Sequence, residues 1–165
     1  MTVPEFDPES LLRSLTAARV DFVVIGGLAV VAHGYVRTTK DLDITYDTAA
    51  DNLERLGSVL VEIGARLRGV DEDIPFTPDA RTLRHAEILT LATRHGSLDV
   101  LARPAGAPPY RELRAAATHD TIGGAEVRIA SIRHLEAMKR AAGRPVDLLD
   151  LDGLQAVRRL RARER

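Results

Sequence analysis

Two aspartates flank one leucine in the segment DLDI (41–44), and few architectures can use that arrangement. The flanking residues make 41–46 a strand. Successive side chains of a strand point to opposite faces, so Asp41 and Asp43 share one face while Leu42 and Ile44 take the other and can bury. Carboxylates about 6–7 Å apart along a strand repel and raise each other's pKa. A lone D-x-D can relieve that repulsion by facing solvent from an edge strand. A third acid argues for another use. In GSLDVL (96–101), Leu98 and Val100 share one face and Asp99 takes the other, so an acid again sits inside an apolar strand. Three carboxylates converging from two adjacent strands form a site for hard cations. Mg²⁺ takes oxygen ligands, one or two of them carboxylates, and keeps places for water and substrate phosphates. A shared pair plus a third acid suits a two-ion phosphoryl-transfer centre.

Upstream lies VIGGLAVVAH (24–33), a buried strand that breaks at Gly26-Gly27 and continues as a short apolar helix. Glycine permits a tight turn and a close backbone approach, and a helix start offers free N–H groups to an anion. Neither GxxxxGK[ST] nor GxGxxG is present. Arg37 and Lys40 precede the aspartates and suit either phosphate or ion pairing with the acids. Lys139 sits among apolar helix positions, as a snorkelling lysine or a phosphate contact. The five histidines show no ligand spacing; His33 is read as closing the short helix.

The chain has 165 residues, 45% hydrophobic and 28% charged, which fits one globular domain. Aromatic residues are only 4%, so the core is built from Leu, Val, Ile and Ala. With no cysteine there are no disulfides, thiolate metal sites or cysteine nucleophiles, which is compatible with a reducing compartment. The first five residues do not form a basic leader, and the longest apolar run is too short to span a bilayer, so a cytoplasmic protein without membrane contact is expected. The net charge of −1 is unevenly placed: residues 131–165 hold nine basic against five acidic residues, a net of +4. Five of those arginines fall in the last eight positions, as a solvated helix end or a contact for RNA.

Along the chain, Asp7-Pro8 opens a helix; strands are expected at 20–25 and 41–46, with a short helix at 27–33 between them. Thr48 to Asp51 reads as a capping box for a helix that Gly64 closes. Residues 66–82 read as a loop with one possible strand, and a hairpin turns at 94–96. A proline-rich loop precedes a helix through Ala117, and Gly123-Gly124 leads into a strand at 126–130. Ser131 caps a helix that ends at Gly143, and Pro145 starts the last one. The expected fold is mixed α/β, with a core at 1–130 and a C-terminal helical pair at 131–165 packed on it.

Gly26-Gly27, then Asp41-x-Asp43, then Asp99, in this order, resembles the DNA-polymerase-β-type nucleotidyltransferase superfamily. Within it, the chain looks like short bacterial members similar to AbiEii-type toxins and minimal nucleotidyltransferases. The segment 131–151 looks like their lysine-bearing helix followed by an acidic one. The resemblance implies the nucleotidyltransferase fold, a small mixed sheet flanked by helices, and transfer of a nucleoside monophosphate from an NTP such as ATP to an acceptor hydroxyl. It implies two Mg²⁺ or Mn²⁺ ions on Asp41 and Asp43. Asp99 would complete one ion and assist deprotonation of the acceptor. Gly26 and Gly27 would hold the triphosphate, with Arg37, Lys40 and Lys139 as further nucleotide contacts. Relatives often carry a basic residue near position 146, where this chain has Val146. The expected acceptor is RNA, such as a tRNA end, in a toxin–antitoxin pair. Alternatives are a protein partner, a small-molecule antibiotic, or a nucleotide-binding module without turnover.

Overall fold

The computed structural model describes residues 4–71 and 74–165. Residues 1–3 of the expected leaderless start, and 72–73 of the expected 66–82 loop, lie outside the described residues. The chain opens with α1 (Pro8–Ala17), capped by Asp7, whose carboxylate accepts from the Ser10 amide at 3.0 Å. There follow β1 (Phe22–Ile25), α2 (Gly26–Ala32), β2 (Asp41–Tyr46), α3 (Ala50–Glu62) and β3 (Arg66–Leu67). Next come α4 (Ala80–His85), β4 (Ile88–Thr93), β5 (Gly96–Leu101) and α5 (Tyr110–Ala116). The chain ends with β6 (Thr118–Ile122), β7 (Ala125–Ile129), α6 (Ile132–Ala142) and α7 (Pro145–Arg163).

Seven strands form one mixed sheet in the order β3-β4-β5-β2-β1-β7-β6. β2 runs parallel to β5 and β1 parallel to β7, and the other neighbours are antiparallel. The all-apolar β1 lies between β2 and β7, and all four of its residues are buried. On β2 and β5, Leu42, Ile44, Leu98 and Val100 are fully buried, as the alternation requires. α1 packs against α3, β2 and β7, burying Leu11, Leu12 and Leu15. α2 packs on β1 and β2 and also meets α6 and α7, so the C-terminal pair reaches the sheet through the short helix after the glycines. No helix among the described residues is long and apolar enough to cross a membrane.

Three local expectations change. The capping box at 48–51 does not form: Ala49 is the cap residue of α3, and Asp47, two residues earlier, accepts the Ala49 amide at 3.0 Å. α4 occupies the end of the expected loop. It buries only Ala80 and Leu83, too few positions to show a helical period. β6 is a polar edge strand, THDTI, largely exposed and held by its hairpin to β7, so no apolar alternation announces it.

Candidate active site

Strand register assembles the carboxylates. The parallel pairing of β2 and β5 sets Asp43 opposite Asp99 and Asp41 opposite Ser97. Oxygens of Asp41, Asp43 and Asp99 all lie within 4.8 Å of one another, and each residue is partly buried. Burial first, then the charges of Asp41 and Asp99, pushes the Asp43 carboxyl up to about 7. Asp99 is also raised: burial lifts it, the Arg68 guanidinium opposes this, and Asp41 adds to the rise. Asp43 Oδ1 is buried without a hydrogen-bond partner. Crowded carboxylates with an orphaned buried oxygen fit a divalent cation, which would supply the missing charge and a ligand for that oxygen.

Gly26 belongs to the same construction. Its φ is +70°, the left-handed region that glycine tolerates. A Cβ there would lie 2.8 Å from Asp43 Cγ and overlap the carboxylate oxygen. At Gly27 a Cβ would come 2.5 Å from Arg37 Nη2 and 3.0 Å from Thr39 Oγ1. The glycine pair therefore makes room for the site's own side chains.

Across the opening stands a chain of alternating charges. Arg37 brackets the fully buried Asp150, with Nε 2.8 Å from Oδ1 and Nη2 donating to Oδ2 at 3.0 Å. Lys139 Nζ lies 2.8 Å from Asp150 Oδ2 and 3.2 Å from Asp147 Oδ1. Arg144 closes the row, its Nε donating to Asp147 Oδ2 at 2.8 Å. Burial pushes the Asp147 carboxyl up, but hydrogen bonds from Arg144 and Lys139 outweigh it and hold the group below its usual value. Three cations against two carboxylates leave one positive charge. Asp147 also accepts the Arg144 amide at 3.0 Å, so it caps α7 as its position suggests and carries two cations besides.

Acid cluster and cation row line one cavity of about 460 Å³. Gly27, Arg37, Lys40, Asp41, Asp43, Asp99 and Lys139 line it, so seven of the eight residues singled out from the sequence come together there. The eighth, Gly26, touches it through Asp43. Arg144 and Val146 line it too. The basic side chain missing at 146 is thus offered two residues earlier, just before the helix instead of inside its first turn. Sequence reasoning passed over Arg144 and Arg68, and gave Asp150 no role. Only the i, i+3 spacing of Asp147 and Asp150 hinted that these acids face one way. His33 is buried, with Nε2 2.8 Å from the Ala130 carbonyl oxygen, so its ring ties α2 to the end of β7.

The family pattern for aminoglycoside-2''-adenylyltransferase matches residues 9–154, nearly the whole chain. The chain belongs to that family. It is a nucleotidyltransferase. Solved structures share its fold. The lincosamide antibiotic adenylyltransferase LnuA, lincomycin-bound, is 14% identical with a TM-score of 0.62 over 93% of this chain and 98% of its own. ANT(2")-Ia in complex with adenylyl-2"-tobramycin is 18% identical with a TM-score of 0.54, over 94% and 95%. A putative nucleotidyltransferase from Thermotoga maritima is 14% identical with a TM-score of 0.50, over 97% and 96%. No curated protein sequence matches the chain. These matches bear out the superfamily and the fold; they do not bear on the AbiEii-type subgroup.

Proposed function

We propose that this nucleotidyltransferase moves a nucleoside monophosphate from an NTP, ATP in the first instance, to a hydroxyl of a small-molecule antibiotic. The observation that carries the transfer chemistry is that one cavity is lined by three clustered carboxylates together with Arg37, Lys40, Lys139 and Arg144. The antibiotic acceptor follows the family that matches the chain. Mg²⁺ or Mn²⁺, read as two ions on Asp41, Asp43 and Asp99, would neutralise carboxylates and phosphates when bound. Lys40, Lys139 and Arg144 face the triphosphate, and Arg37 adds its charge while its guanidinium stays on Asp150. The Gly27 backbone lines the phosphate side. Asp99 takes the proton of the acceptor hydroxyl. The acceptor oxygen forms a bond to the α-phosphorus, the bond from that phosphorus to the α–β bridging oxygen breaks, and pyrophosphate leaves.

Outside the family resemblance, the RNA reading rests on the arginine-rich end of the chain. There, Arg158 Nη2 lies 2.5 Å from the buried Glu136, and Arg161 donates to the His33 carbonyl at 3.1 Å. Two of the five arginines are thus engaged within the protein, so truncation at 158 would disturb the fold as well as any RNA contact.

The test is pyrophosphate release from each of the four NTPs with tobramycin or lincomycin, with mass spectrometry of the antibiotic. A nucleotidylated antibiotic, lost in Asp41→Asn, is expected. Unmodified antibiotics alongside labelled RNA 3′ ends or a labelled co-expressed protein would overturn the acceptor.

A further inference from the structure

Arg68 is the one cation in ion-pair contact with the acid cluster among the described residues. It follows β3, and its amide donates to the Thr90 carbonyl at 2.9 Å. Thr90 pairs with Asp99, and Asp99 with Asp43, so the register draws a row Arg68–Thr90–Asp99–Asp43 across four strands or strand ends. Across that row the guanidinium Nη2 reaches to 3.0 Å from Asp99 Oδ1. Asp99 Oδ1 is nevertheless without an aligned hydrogen bond, so the contact is held by charge and not by directed geometry. The other terminal nitrogen donates to the Leu91 carbonyl at a long 3.3 Å, and the side chain is 28% exposed. Arg37, by contrast, donates an aligned hydrogen bond from Nη2 to a fully buried carboxylate, Asp150 Oδ2, at 3.0 Å.

A cation bound at Asp99 would share that carboxylate with a guanidinium. Like charges a few ångströms apart in a partly buried site repel strongly. Arg68 also lines a second cavity of about 560 Å³, beside Gly69, Asp71 and Phe76. We infer that Arg68 stands in for a metal ion at Asp99 in the metal-free enzyme and must release this carboxylate before it can serve as a ligand. Arg68 is then a positioning residue that sets an order of loading. The Asp41–Asp43 pair, which has no ion-pair partner among the described residues, takes a cation first, and Asp99 takes one last. The acceptor side of the centre stays neutralised until the donor side is filled. This rests on the metal-dependent reading above.

The test is a Mn²⁺ titration in the presence of an ATP analogue with a methylene α–β bridge, read by calorimetry and by the spin-resonance signal of free Mn²⁺. The wild type should show a tight phase and a weak phase. Arg68→Gln should tighten the weak phase about tenfold and leave the tight phase unchanged, because one positive charge beside the ligand is gone. Arg68→Lys keeps the charge and should fall between them. It also serves as the second variant where Arg68→Gln melts early. Asp99→Asn should abolish the weak phase and, with it, any effect of Arg68→Gln. A wild type binding one ion where Arg68→Gln binds two is the same result in its strongest form. A weak phase that is unchanged or weakened in Arg68→Gln overturns the inference, because Arg68 would then be neutral toward the ion or would orient Asp99 for it. The underlying reading fails separately, by Mn²⁺ binding that is identical in wild type, Asp41→Asn and Asp43→Asn.

Discussion

Two clusters of charge line one cavity, and they are built on opposite terms. The row Arg37–Asp150–Lys139–Asp147–Arg144 alternates in sign, and both of its carboxylates are buried and multiply paired. The cluster Asp41–Asp43–Asp99 is of one sign, with Arg68 as its single ion-pair partner among the described residues. Burial of a charge is tolerated when a partner and hydrogen bonds replace water. The row meets that condition from within the chain. The acid cluster does not, and burial together with its crowding pushes the Asp43 carboxyl up to about 7. The difference separates a structural device, which holds its cations in place, from a group of carboxylates with the chemistry to take a cation.

The comparison predicts opposite responses to removing one acid from each side. Asp150→Ala leaves Arg37 and Lys139 partly buried without their shared partner. It should cost about 3 kcal/mol in urea unfolding, in the range for breaking a buried ion pair from one side. A loss well under about 1 kcal/mol would mean that the row is not the internally completed cluster described here.

Gly26→Ala should cost about 2 kcal/mol, since it forces a left-handed backbone on a residue with a Cβ and drives that Cβ into the Asp43 carboxylate. It should weaken Mn²⁺ binding in the same measure that it moves Asp43. Calorimetry on the folded variant reads that directly, and unchanged affinity would place the strain elsewhere.

Asp43→Asn removes an acid from the unneutralised side. Metal affinity should fall about tenfold or more, roughly 1.4 kcal/mol by the usual conversion. Metal-free thermal stability should hold or rise, because a repulsion is relieved. A metal-free melting temperature that falls as it does in Asp150→Ala would erase the distinction between the two clusters.

The smallest effect is expected from His33, outside both. Burial holds its imidazole below the usual value, against the pull of the Ala130 hydrogen bond. A depressed histidine stabilises the fold above its unfolded pKa of about 6.5, and that contribution is lost as pH falls through the folded value. His33→Gln should therefore flatten the decline in stability between about pH 7 and pH 5 relative to wild type. Parallel pH profiles from denaturant titrations would show that the ring does not carry it.

Much of this protein is written locally. The alternation in DLDI and LDVL by itself put Asp41, Asp43 and Asp99 on strand faces opposite their buried neighbours, because the two-residue period of a strand needs no tertiary information. Asp7, Ser131, Gly143 and Pro145 mark helix ends through their own side chains and backbone preferences, and each does so in the structure. What joins distant segments could not be read that way. Only the parallel register of β2 and β5 decides that Asp43 stands opposite Asp99. Only the packing of α6 and α7 against α2 brings Asp150 to Arg37, 113 positions away. Lys139 reads as a snorkelling lysine or a phosphate contact and Asp147 as a complement to a helix start, and the fold buries both in one network. Arg68 lies in a stretch with no apolar period, and its meaning depends wholly on the strand beyond the one it pairs with. Local chemistry names the groups that can act. Long-range pairing decides which charges meet a partner of opposite sign inside the chain and which are crowded against their own kind.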